Sequence, residues 1–285
     1  MMPATVRAYL VRQQELRSGT PWQLRMFSRT LKKKLRLNVL REILGRLDNC
    51  RCLLVTCGDN NGAINYQLRQ LGGCWSWADC ENKSISEMCL LLGDEVKFID
   101  SRQLPYPDEQ FDCVVAIDVH EHLQDPETFT REITRVLKCG GRVVITVPSG
   151  DHRKIANRVK NAIGMTREKY GHVRDGFTVP ELQSLMRLMD IEPRRAVSFS
   201  RFFTEMIELG INYVYVNRLS KNGGVPVTEG TIAPATSEQL RSVEKTYRLY
   251  SIIYPFVWLT SRLDWFLFFT SGYVVVVEGT KLTHR

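Results

Sequence analysis

From Leu53 to Asp79 the chain reads LLVTCGDNNGAINYQLRQLGGCWSWAD. Few folds accommodate this succession of apolar run, glycine loop, helix-forming stretch, second apolar run and carboxylate. Leu53, Leu54 and Val55 suit a strand buried on both faces, as in a parallel sheet. Gly58 and Gly62 let the backbone turn sharply and approach a ligand closely. The helix predicted over Tyr66 to Leu71 aims its N-terminus at that loop, where its dipole favours an anionic group. Trp75 to Ala78 supplies the next strand and ends in Asp79. A carboxylate about 20 residues beyond a glycine loop is placed to accept hydrogen bonds from a ribose diol. The outline is that of a site for an adenosine-type cofactor.

A dinucleotide fingerprint, G-x-G-x-x-G counted from Gly58, needs glycine where Asn60 and Ala63 stand, so nicotinamide chemistry is disfavoured. The looser pattern acidic-x-Gly-x-Gly-x-Gly, laid on Thr56, Gly58, Asn60 and Gly62, resembles the cofactor loop of class I S-adenosylmethionine-dependent methyltransferases. Downstream, Val96 to Ser149 is similar to the central part of the ubiquinone/menaquinone-methylase-like (type 11) group. Four pieces carry that similarity in order. They are Asp100-Ser101, the Leu104-Pro105-Tyr106-Pro107 turn, Phe111-Asp112 leading a strand that ends near Asp118, and Leu137-Lys138-Cys139-Gly140-Gly141. Gly171-His172-Val173-Arg174 and a helix over Val179 to Met189 continue it more weakly, to about residue 200.

The resemblance implies a Rossmann-like α/β doubly wound sheet, mostly parallel with an antiparallel last strand. A helical N-terminal segment and a C-terminal helical insertion are added to it. The expected division is 1–48 for the basic helical segment, 49–201 for the core, 202–270 for the insertion and acceptor region, and 271–285 for the last strand and tail. Arg195 to Phe202 is read as the sixth strand and Tyr273 to Gly279 as the last, beside the fifth. The implied cofactor is S-adenosyl-L-methionine. Carried over residue by residue, Gly58, Asp59, Asn60 and Gly62 would hold its methionine side, Asp79 its ribose, and Asp100 with Ser101 its adenine, with Thr56, Cys80 and Asp118 also in the cofactor site. Thr56 and Asn60 depart from the pattern, which has an acid and a glycine there. Asn tolerates positive φ better than most residues, and Asp59 is near enough to replace the acid.

Methyl transfer needs donor and acceptor positioned in line, and an acceptor hydroxyl or acidic carbon also needs a base. His122 and His120, where the fourth strand ends, titrate near neutral pH and are candidates, as is His172 in a loop expected to cover the acceptor. The same histidines read equally as packing, capping or surface residues. Asp118-x-x-Glu121-His122 resembles the Glu-x-x-Glu-His segment with which ubiquinone O-methyltransferases hold a divalent ion, but no metal is expected here. The implied activity is methylation of oxygen or carbon on a small-molecule, lipid or lipid-linked glycan acceptor. The alternative is a catalytically silent, methyltransferase-like subunit docking on a membrane or partner protein.

Eight cysteines are scattered without a Cys-x-x-Cys pair, as in a reduced cytoplasmic protein, and no secretory leader is expected. The net charge of +8 is concentrated near the N-terminus, where Arg25 to Arg46 carry cations between Leu31, Leu35, Leu40, Ile43, Leu44 and Leu47. That stripe reads either as a cap helix packed on the domain or as a helix drawn to an anionic membrane. Nucleic-acid binding is not expected, because the basic run lacks aromatic interleaving or a recognised motif. Residues 249–277 are the most apolar stretch, interrupted by Arg262 and Asp264, which makes the uncharged runs too short to span a bilayer. Ser251 to Phe269 is read as one aromatic helix that packs on the sheet, lines an acceptor pocket or touches a membrane. Peripheral contact on the inner face of a membrane, through residues 25–47 and 249–270, is the sharpest of these expectations.

Overall fold

The apolar runs become strands β1 (Arg51–Thr56), β2 (Cys74–Asp79), β3 (Val96–Phe98), β4 (Phe111–Ile117), β5 (Leu137–Pro148), β6 (Ile191–Phe199) and β7 (Val274–Lys281). They are seen in a computed structural model that describes residues 19–58, 60–100, 102–219 and 234–283. They form one sheet in the order β3-β2-β1-β4-β5-β7-β6. The first five strands are parallel, and β7 runs antiparallel between β5 and β6. The last strand therefore lies beside the fifth, as expected from the sequence. The sixth begins earlier than read, at Ile191, whose buried side chain packs in the core.

Alternation along β1 divides its side chains between two cores. Leu53 and Val55 point to one face, with Phe129 and Ile133 of helix α5 (Pro126–Val136) and Leu182 and Met186 of α7 (Val179–Leu188). Cys52 and Leu54 point to the other, with Leu40 and Leu44 of α2 (Leu31–Leu44), Leu68 of α3 (Ala63–Arg69) and Met88 of α4 (Ile85–Leu92). Local signals fix the helix starts. Asp125 caps α5 by accepting from the Thr128 N–H, ahead of Pro126, and Thr178 with Glu181 forms a capping box on α7.

Helix α2 decides between the two readings of the basic segment. Leu31, Leu37, Leu40, Ile43, Leu44 and Leu47 are all buried in the domain core, so they are not free to enter a bilayer. Burial of each such side chain is worth about 1.5–3 kcal/mol, far more than a shallow lipid contact by one residue. A shorter helix, α1 (Trp22–Phe27), precedes α2 and also buries its aromatic ends, Trp22 and Phe27.

The remaining helices are α6 (Ile155–Ala162), α8 (Phe202–Val214), α9 (Ser237–Ser242) and α10 (Glu244–Ser261). The predicted aromatic helix to Phe269 stops at Ser261, and Arg262–Leu267 winds as a tighter 3₁₀ turn. There Asp264 is turned inward to accept from the backbone N–H groups of Arg201, Phe203 and Thr204, at 3.0, 2.8 and 3.2 Å. The acid that interrupts the aromatic run thus caps the start of α8. Within the 202–270 insertion expected from sequence, residues 220–233 lie outside the described residues.

Candidate active site at the carboxyl edge of the sheet

Parallel strands expose their carboxyl ends at one edge, where ligands of open α/β sheets bind. A cavity lies at that edge, lined by Thr56, Cys57, Asn60, Asn61 and Ile64 after β1, Asp118 and His122 after β4, and Lys160, His172 and Glu208 from the far side. The loop after β1 is knit by its own side chains. Thr56 sits directly opposite Asp79 in the β1–β2 register, and its hydroxyl donates to the Asp79 carboxylate at 2.5 Å. Asn60 Nδ2 donates to Thr56 Oγ1 and to Asn65 Oδ1, both at 2.9 Å. Asn60 Oδ1 and Asn61 Oδ1 accept from the Gly62 and Ala63 N–H groups at 3.0 and 3.2 Å. The two departures from the family pattern, Thr56 and Asn60, are partners of one another.

Asp79 is enclosed and does not line the cavity. Its other oxygen accepts from the Glu81 N–H at 2.7 Å. Burial pushes its carboxyl up to about 7, although the Thr56 hydroxyl and the Glu81 N–H oppose that rise. Cys80 is half-buried next to it and Asp100 is exposed, its carboxylate accepting from the Arg102 N–H; neither lines the cavity. Asp59 and Ser101 lie outside the described residues.

Asp118 takes φ +49, uncommon for a residue other than glycine, and its carboxylate pairs with Arg36 of α2. The N-terminal helix is thereby tied to the cofactor edge. Arg36 was not legible as a site residue, because one arginine in a basic run carries no mark of burial. Lys160 was missed for a similar reason. It stands 3.8 Å from the Tyr170 ring centroid, and burial lowers its ammonium to about 8.

The three histidines part company. The His122 Nδ1 lies 2.9 Å from the Gly171 carbonyl, an acceptor only, so Nδ1 carries the proton and Nε2 keeps its lone pair. Burial holds the His122 imidazole below its ordinary value, outweighing that hydrogen bond, and it is neutral at pH 7. His172 lies edge-on to it at 4.7 Å between centroids, with burial pushing its imidazole down to about 2. His120, by contrast, is fully buried between Phe129 and Phe177, bonded to Thr130, and absent from the cavity wall. As a proton acceptor from a substrate it is out of reach. Glu121, His122 and His172 each bring one ligand atom within 4.8 Å of the others, a donor set that suits a divalent ion. Asp118, paired with Arg36, is not in that group.

Beside the cavity, the loop after β1 leaves room for a ligand. Gly58 has φ +78, and a Cβ there meets only His122 Cε1, at 3.8 Å, so backbone can approach a ligand closely. Two buried polar atoms of residues that do line the cavity, Glu121 Oε2 and His172 Nδ1, have no protein partner. At the sugar end the fit is different, since the expected ribose carboxylate is already engaged by Thr56.

This sheet order, antiparallel seventh strand and carboxyl-edge cavity define a class I S-adenosylmethionine-dependent methyltransferase fold. Residues 78–145 match the family described as "Methyltransferase domain", and the chain is similar to the type 11 group of that class, whose cofactor is S-adenosylmethionine. It is 26% identical over 181 residues to a ubiquinone biosynthesis O-methyltransferase of Cereibacter sphaeroides, covering 59% of this chain and 72% of that protein. To a phosphatidylethanolamine N-methyltransferase of the same species it is 40% identical over 63 residues, 22% of this chain and 31% of that one. An ajmaline N-methyltransferase of Rauvolfia serpentina is 48% identical over 46 residues, 16% of each chain, so the chain covers well under two thirds of these two shorter-matching relatives. In fold it is similar to a methyltransferase from Bacillus halodurans, with TM-score 0.53 and 16% identity over 87% of this chain and 99% of that one. It is also similar to the geranyl diphosphate C-methyltransferase of Streptomyces coelicolor, with TM-score 0.53 and 12% identity over 88% and 78%.

Proposed function

We propose that the protein transfers a methyl group from S-adenosylmethionine to oxygen or carbon of a small, lipid-like acceptor in the cytoplasm. The observation that carries this reading is the fixed His122 tautomer, a neutral imidazole with its Nε2 lone pair on a cavity at the carboxyl edge. When bound, the cofactor supplies an activated methyl group on a sulfonium. Gly58, Asn60, Asn61 and Asp118 would hold its amino-acid end, and Asp79 its ribose if the carboxylate releases Thr56. His122 takes the acceptor's proton, and Gly171 keeps its ring oriented while it does so. His172, unprotonated at neutral pH, packs against that ring and narrows the space around the acceptor.

A lipid-like acceptor is supported by the relatives that act on phosphatidylethanolamine and in ubiquinone biosynthesis, by their names. The cytoplasmic setting is supported by eight free thiols. Calorimetric titration with S-adenosylhomocysteine tests the donor half: binding in the micromolar range is expected, and none at millimolar ligand removes the reading. That null result would favour the silent subunit, which the self-bonded loop of Asn60 and Asn61 also suits. For the catalytic half, lipid extracts are methylated with labelled donor. His122→Gln should retain S-adenosylhomocysteine affinity and lose about 10²–10⁴-fold in turnover, the usual worth of a positioned base.

A further inference from the structure

Helix α10 turns its polar side inward and its apolar side outward. Toward the protein, Tyr247 and Tyr250 donate to the backbone carbonyls of Arg25 and Arg29 at 3.1 and 2.7 Å, and Lys34 donates to Tyr254 Oη at 3.2 Å. Toward solvent stand Ile252, Phe256 and Leu259, 72%, 73% and 62% exposed. The face continues past the helix through Trp265, Phe268 and Phe269, which are 74%, 75% and 74% exposed. A soluble surface rarely carries so many contiguous large apolar side chains unless something covers them.

Charge indicates what the cover is. Of the two acids between Glu244 and Thr270, Asp264 is spent inward on the start of α8 and Glu244, the first residue of α10, pairs with Arg248 at 2.7 Å. Lys245 and Arg262 are exposed cations besides that pair, so the segment keeps an excess of positive charge. Arg262 lies 4.7 Å over the Trp258 ring, so cation and aromatic surface are interleaved rather than separated. Trp and Phe framed by Lys and Arg match the boundary of an anionic bilayer, where rings sit at headgroup depth and cations meet phosphate. Protein partners normally require a hydrogen bond per 100–200 Å² of interface, and the outward ring and aliphatic side chains offer almost none. No helix among the described residues is long and apolar enough to cross a membrane, so this contact is one of lying on the surface.

We propose that α10 and the aromatic turn after it dock this protein on an anionic lipid surface. The contact rests on this exposed face and not on the methyl-transfer reading. It keeps one half of the contact expected from sequence, residues 249–270, while the leucines of α2 are core. Helix α10 packs on α8, whose Glu208 and Leu209 line the cavity, so a docked molecule has its cavity one helix away from the bilayer.

The test is flotation of the full chain with phosphatidylcholine vesicles, with and without phosphatidylglycerol. Binding to the anionic vesicles, weakened by salt, is expected. The combined variant Phe256→Ser, Trp265→Ser and Phe268→Ser should lose about tenfold or more of that binding. The charge variant Lys245→Gln, Arg248→Gln and Arg262→Gln should lose it on anionic vesicles, with its fold intact by circular dichroism. Failure of the unaltered chain to float with either vesicle, or flotation of both variants equal to that of the unaltered chain, overturns the proposal. So does a lipid-free dimer that the ring variant splits into monomers, which assigns the face to a second copy. Titration of S-adenosylhomocysteine into the same variants should be unchanged, so loss of docking and loss of cofactor binding are read separately.

Discussion

At the residue scale, one carboxylate shows how a single position serves two demands. Asp79 stands where a ribose ligand is expected, yet its nearest partner is the Thr56 hydroxyl on the neighbouring strand. Its carboxyl is raised from an ordinary 3.8 to about 7 by burial. A group with a folded pKa above its unfolded value binds its proton more tightly in the folded state. Stability from this group is therefore fully present below about pH 4 and falls as the pH rises to about 7. The expected loss is roughly 2–4 kcal/mol across that window, and Asp79→Asn should flatten it, as urea unfolding at pH 4.5 and 7.5 (about) would record. Thr56→Val removes the donor to Asp79 and the acceptor of Asn60 together. It should cost about 1–3 kcal/mol in the same assay at pH 7.5 (about), because both partners stay buried. Sequence pointed to Asp79 by its position at the end of β2, but the hydroxyl opposite it follows only from strand register.

At the scale of elements, the helices divide into those whose partners are local and those whose partners are far along the chain. Asp125 with Pro126 and Thr178 with Glu181 mark the starts of α5 and α7, each cap bonding a residue only a turn away. The leucine stripe of α2 was equally legible as a stripe, while its destination was not. Leu40→Ala should destabilise the protein by about 2–5 kcal/mol, as in a packed core, when measured by denaturant unfolding. A helix lying on a membrane would instead tolerate that change within about 0.5 kcal/mol. His120 and His122 make the same point over two positions. One 3₁₀ turn sends the first ring into the Phe129–Phe177 packing and the second onto the cavity, a difference invisible in the letters His-Glu-His.

Across the whole molecule, the thiols and the exposed apolar face record how the chain was divided between inside and outside. All eight cysteines are free, and only Cys74 and Cys139 are exposed. A thiol reagent should therefore label two sites quickly in the native protein and eight after unfolding, which a timed absorbance assay would count. Sequence by itself determined the strands around Leu53 and Trp75 and the glycine turn between them, each set by an apolar run or by a backbone requirement a few residues long. The strands around Cys113 and Val144 and the antiparallel return of the last strand are what the family resemblance implied. Tertiary structure alone decided that Thr56 would occupy Asp79, that Arg36 would tie the N-terminal helix to Asp118, and that α10 would turn its tyrosines inward and its larger rings out. Those outcomes depend on which distant segment satisfies a buried polar group or covers an apolar stripe, and competition among distant partners is resolved only when the chain is packed.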